Sequence, residues 1–246
     1  MLYAWITPQA GVLGYDSFSL YKSMNKGCDW TQVGVTFDRA HYGISFAGFV
    51  QFGKDNGAAI DGYVYSIATA VSDASRLDIV QRPGQVMMMR VPAASIENPL
   101  AYQFFAGLDS NGQPRWLDAS DVSQDPSKAV PVYEDNAGGV GPFPQMSYVP
   151  ALRRFVYTNQ HGVATDPLQL GFQSRLTMAQ ASWPWGPWTD FYHEVFSPPG
   201  LDQTLFQWNF APKWFRDGGR SFTLIFSGSG NNDSWNTVDG TFTISP

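Results

Sequence analysis

The 246-residue chain has one cysteine, three glutamates and no cluster of Lys or Arg, and each shortage removes a class of function. A lone Cys28 cannot close an intramolecular disulfide or supply a thiolate zinc set, and its place inside a turn points to structure rather than nucleophilic chemistry. Charged residues make up 15% of the chain, with a formal net charge of −6 and a sequence pI near 4.9. Without a basic footprint, a phosphate backbone is excluded as partner. No apolar run reaches the roughly 18 residues of a membrane-spanning helix, and the start Met1-Leu2-Tyr3-Ala4-Trp5-Ile6-Thr7 lacks the basic region and cleavage site of an export signal. Phosphate-cradling glycine loops, a Gly-x-Ser-x-Gly elbow and a His-Glu-x-x-His pair are all missing, so nucleotide, serine-hydrolase and zinc-protease readings have no footing.

What is abundant is strand and turn material: 15% aromatics, 24 Gly and 17 Pro. That mixture predicts an all-β fold with no long helix, and the length suits a single domain over 1–246 with no dividing linker. Strands are predicted at 2–7, 18–23, 30–37, 44–52, 63–70, 86–91, 102–105 and 130–133. They continue at 145–149, 155–158, 168–173, 188–192, 206–214, 222–226 and 241–244. The spacing fits four-stranded units of about fifty residues, typical of β-propeller blades. The turn Ser23-Met24-Asn25-Lys26-Gly27-Cys28-Asp29-Trp30 is nearly an Asp box, in which Asn25 bonds nearby backbone, Gly27 supplies a left-handed conformation and Trp30 plugs the turn.

The segments running from Gly53-Lys54-Asp55-Asn56-Gly57 to Gly62-Tyr63-Val64-Tyr65, then Met89-Arg90-Val91-Pro92, Tyr102-Gln103-Phe104-Phe105, Trp185-Gly186-Pro187-Trp188, Pro212-Lys213-Trp214 and Leu224-Ile225-Phe226-Ser227-Gly228 occur in this order. Together they resemble a bacterial family of sialidase-like five-bladed propellers related in fold to arabinanases. The resemblance implies a propeller, carbohydrate chemistry without an organic cofactor, and frequent export. Relative to that family this sequence is expected to lack an N-terminal blade, as a natural short form or as a fragment. About four blades are therefore expected, in a ring that is open or completed by a partner chain, and homo-oligomers are one route to closure.

Glycoside hydrolysis needs two carboxyl groups flanking the scissile bond. On the loops expected to share the ligand face, Asp38 is the candidate base, with Arg39 and His41 beside it; Glu194 is the candidate acid and Glu134 with Asp135 the reserve pair. Asp38 as a turn cap and Glu194 as a solvated strand end are the bland alternatives. His161, Arg76, Gln145 and Trp208 complete the candidate set for binding a polysaccharide or oligosaccharide. One Arg76 falls short of the arginine cluster a sialidase requires. The Trp183-to-Trp188 segment reads either as a sugar-stacking platform or as blade packing. No metal site is assigned, although the Gly230-Asn231-Asn232-Asp233 turn could hold a structural calcium. The readings are a glycoside hydrolase, a non-catalytic glycan-binding propeller, or a polysaccharide lyase using His or Tyr as base.

Overall fold

Runs of β-branched and aromatic residues, broken by Gly, Pro and Asn turns, fold here into antiparallel meanders. The computed structural model describes residues 1–8, 15–75, 77, 80–161, 174–200, 204–229 and 234–243. Four sheets follow one another along the chain. The first is β1 (Leu2–Ile6), β2 (Ser17–Ser23) and β3 (Thr31–Asp38). The second joins β4 (Ile44–Phe49), β5 (Tyr63–Ala70), β6 (Gly84–Pro92), β7 (Gln103–Leu108) and β8 (Pro114–Asp118), with β9 (Tyr133–Asp135) added to the start of β6. The third is β10 (Gln145–Val149), β11 (Arg154–Gln160), β12 (Arg175–Ala181) and β13 (Thr189–Val195). The last is β14 (Thr204–Phe210), β15 (Ser221–Ser229) and β16 (Ser234–Thr241). The two α-helices among the described residues are the short α1 (Arg39–Tyr42) and α2 (Ala119–Gln124).

The all-β expectation therefore holds, while the expected four strands per unit are met only by the third sheet among the described residues. The second sheet is larger because β6 is shared: its Met89 and Arg90 pair with β7, and its Gly84, Gln85 and Val86 pair with β9. Strand β1 pairs with β2, and the C-terminal β16 with β15. The 168–173 strand lies outside the described residues, as does the end of the one expected at 241–244.

Packing is serial. Phe18, Leu20 and Phe37 of the first sheet are buried with Met87, Met89 and Phe104 of the second. Met88 and Phe105 point the other way, joining Met146, Tyr157 and Ala179 of the third. Val156 and Leu176 then pack on Trp208, Phe210 and Phe226 of the last. Because a strand alternates its side chains, Met87-Met88-Met89 serves two cores at once, which is why it is apolar without interruption. Gln51 and Ser147 form a parallel bridge just beyond β4, aligning the leading strands of the second and third sheets.

The turn 23–30 carries its expected left-handed glycine, Gly27 at φ 94°, preceded by Lys26 at φ 63°. Ser23 Oγ accepts from the Gly27 amide at 2.8 Å, and Asn25 Oδ1 accepts from the Asp29 amide at 2.9 Å. Trp30 donates its indole N–H to the Gly27 carbonyl at 3.0 Å, so it folds over its own turn.

Candidate functional site

The sequence-selected carboxylates stand on different sheets. Asp38 ends β3 and caps α1: its Oδ1 accepts from the His41 amide at 2.8 Å, and its carboxylate contacts the His41 ring Nδ1 at 2.9 Å. Arg39 is turned away, donating to Asp16 Oδ1 at 2.8 Å. Glu194 is exposed on β13, the outer strand of the third sheet, opposite Leu176. No hydrogen bond or ion pair joins Asp38 to Glu134 or Glu194 among the described residues. Because an N-cap oxygen satisfies a helix-end amide, Asp38→Ala is expected to cost about 1 kcal/mol in chemical denaturation. Asp38→Asn keeps the cap and should stay near wild type in both stability and turnover. A hundredfold loss of turnover at unchanged stability would instead make Asp38 the base.

The binding candidates are also dispersed. Trp208 is 2% exposed in the core between the last two sheets, and Gln145 is half-buried at the start of β10, near Gly48 of β4. Arg76 and the 230–233 turn lie outside the described residues.

Glu134 and His161, by contrast, belong to one polar region on the seam between the second and third sheets. A cavity of about 370 Å³ there is lined by Pro131, Val132, Tyr133, Glu134, Trp188 and Asp190. Two carboxylates therefore face one cavity. Glu134 is exposed on β9, and Gln85 Nε2 donates to its Oε1 at 2.7 Å across the strand pair. Asp190, at the start of β13, accepts from the Tyr133 hydroxyl at 3.2 Å. Desolvation raises the Asp190 pKa, and the neighbouring Asp135 charge adds to the rise, against the lowering influence of Tyr133 and His193. Burial raises the Tyr133 hydroxyl pKa, with the charges of Asp190 and Asp135 contributing, so this phenol is a donor at neutral pH. An aromatic wall, one carboxyl with a raised pKa and a second held by an amide are the parts of an acid–base pair.

Behind this cavity the polar groups continue inward. Asp135 Oδ1 accepts from the Ala137 and Gly138 amides at 3.1 and 2.6 Å. Asp135 Oδ2, the Tyr157 hydroxyl and His161 Nε2 are buried without a hydrogen-bond partner among the described residues. A Cβ on Gly138 would lie 2.5 Å from Asp135 Oδ2 and 3.1 Å from His161 Cβ, so a larger residue there would push the Asp135 carboxylate aside. The His161 and His193 rings stack at 3.8 Å, with Thr177 Oγ1 between their Nδ1 atoms at 2.9 and 3.1 Å. One hydroxyl has one proton, so Thr177 donates to one ring and accepts from the other. Burial, then the charges of His193 and Arg175, lower the His161 pKa from 6.5 to about 3. The native state thus refuses a proton that the unfolded chain accepts below pH 6.5. Stability from this histidine is complete above that pH and falls by roughly 1 kcal/mol per unit on acidification toward pH 4. His161→Gln is expected to flatten that part of a melting-temperature profile.

Sequence reasoning passed over Asp190 and Tyr133, and left Trp188 between sugar stacking and blade packing.

No protein-family model and no curated protein matches the chain. Among solved structures, Trypanosoma rangeli sialidase aligns at TM-score 0.43 and 9% identity, covering 91% of this chain and 26% of that one. An exo-β-1,3-galactanase from Phanerochaete chrysosporium, solved with β-1,3-galactotriose, aligns at 0.39 and 13% identity over 78% of this chain and 34% of its own. Endo-1,5-α-L-arabinanase from Thermotoga petrophila gives 0.33 and 11%, covering 96% of this chain and 70% of that enzyme. The chain thus spans about a quarter to a third of the first two structures. With every score below 0.5, function rests on this chain's own residues.

Proposed function

We propose that the four sheets are blades of a propeller and that the protein is a glycoside hydrolase acting on a polysaccharide at the seam cavity. The observation that carries this reading is that Glu134 and Asp190 line one cavity together with Tyr133 and Trp188. Asp190, whose pKa is raised by desolvation, is the group that gives a proton to the glycosidic oxygen. Tyr133 then steadies the carboxylate left behind by the hydrogen bond it already makes. Glu134, held by Gln85, acts on the opposite side as base or nucleophile. Trp188 offers its ring as a wall for the sugar.

Incubation with plant, algal and mycobacterial polysaccharides, read by product mass, tests the proposal. Products heavier by one water per cleaved bond are expected. Unsaturated products would establish a lyase, and binding without cleavage a glycan-binding protein.

A further inference from the structure

A second cavity, of about 290 Å³, lies on the same seam and is walled by Asp61, Arg90, Gln113, Trp183 and Trp185. We propose that it is a non-catalytic binding site for one ring of a neutral saccharide, independent of whether the Glu134–Asp190 cavity is catalytic.

The aromatic groups are arranged for this and not for packing alone. Trp183 and Trp185 stack with ring centres 5.6 Å apart and planes 2° from parallel. Trp185 is anchored inward, 6.3 Å from Trp116 and 6.4 Å from Tyr65. Trp183 remains 50% exposed, so a large apolar face is presented to water. Packing explains Trp185 but leaves that face unaccounted for. The turn that holds it is closed by the Gly186 amide donating to the Trp183 carbonyl at 3.0 Å and is stiffened by Pro184 and Pro187. A platform fixed before the ligand arrives loses little entropy on binding.

The polar wall is equally fixed. The Arg90 guanidinium carbon sits 4.0 Å from the Tyr63 ring centre and 4.2 Å from that of Trp116, clamped between the two. Its Nε and Nη2 donate to Gln103 Oε1 at 3.1 and 3.0 Å. Asp61 accepts from the Tyr63 amide at 2.9 Å and the Tyr65 hydroxyl at 2.7 Å, which leaves lone pairs on both carboxylate oxygens for further donors. One acid and one base cancel, so the cavity carries no net charge to draw in a charged ligand. A flat apolar face beside fixed acceptors and donors matches a pyranose, whose C–H face stacks on indole while its hydroxyls bond at the edge. A proline-rich peptide would instead need an elongated aromatic groove. The enclosure by Asp61 and the 112–114 turn favours a single ring.

The test is calorimetric and fluorescence titration of the intact protein with xylotetraose, cellotetraose, maltotetraose, trigalacturonate and decaproline. At least one neutral tetrasaccharide is expected to bind and perturb tryptophan emission. Trp183→Ala should weaken that binding about tenfold or more, with Trp183→Phe intermediate and melting temperatures near wild type. Repeating the titration with Asp190→Asn separates the two cavities: the same affinity is expected even if the hydrolase reading fails. Absence of neutral-sugar binding, affinity unchanged in Trp183→Ala, or preference for trigalacturonate or decaproline would each overturn the proposal.

Discussion

Asp190→Asn is expected to lower turnover on a cleaved polysaccharide by a hundredfold or more, the usual scale for a lost acid–base group. An amide fills the same volume and can still meet the Tyr133 hydroxyl, so the melting temperature should hardly move. It cannot deliver a proton. Glu134→Gln should fall comparably, because an amide can neither take up a proton nor attack as a nucleophile, and the side-chain hydrogen bond it would disturb among the described residues is the one to Gln85. The pH profile adds a reading that mere misfolding would not mimic. Activity should decline as pH rises through the raised Asp190 pKa, and that alkaline limb should vanish from whatever activity Asp190→Asn retains. Wild-type rates in both variants would remove the seam cavity from consideration as an active site.

Trp208→Ala is expected to be the most damaging single change to the fold. Trp208 is among the largest fully enclosed side chains, 2% exposed in the core shared by the third and fourth sheets. Thr158 donates to its backbone carbonyl at 2.7 Å, tying the two sheets at the same point. Removing the indole leaves a cavity that neighbours on two separate sheets cannot collapse to fill. About 3–5 kcal/mol should be lost, which for a chain of this size lowers the melting temperature by roughly 6–20 °C. A ligand-binding role for Trp208 would show itself differently, as weakened binding with stability intact.

Strands with a dense run of β-branched and aromatic residues were legible at once: 63–70 and 145–149 are β5 and β10 to the residue. Those missed had no such run. Strand β12, Arg-Leu-Thr-Met-Ala-Gln-Ala, has scarcely any β-branched character. Strand β16, Ser-Trp-Asn-Thr-Val-Asp-Gly-Thr, alternates half-buried and exposed residues along a largely polar edge, so its sequence resembles a loop. Position on the surface, rather than propensity, decides such strands. At the candidate site, Glu134 and His161 could be picked out by residue type. Asp190 could not, because its significance comes from Tyr133, 57 residues away on another sheet. Proximity of that kind is made by tertiary packing, which no local pattern encodes. Asp38 shows the converse: it could be picked out by residue type, and the contact it makes is local, its Oδ1 capping the helix it begins.

The serial arrangement of the three cores has a consequence for how this chain comes apart. Among the described residues each sheet is cemented to its sequence neighbour, and the β14–β16 sheet shares in one core, while the second and third sheets each share in two. Cohesion of this kind behaves as a line of coupled units, in which the ends detach at lower cost than the middle. Amide exchange under native conditions should therefore run in a gradient: fastest along β16, slowest in β6 and β11, where loss of order requires the parting of neighbours on both sides.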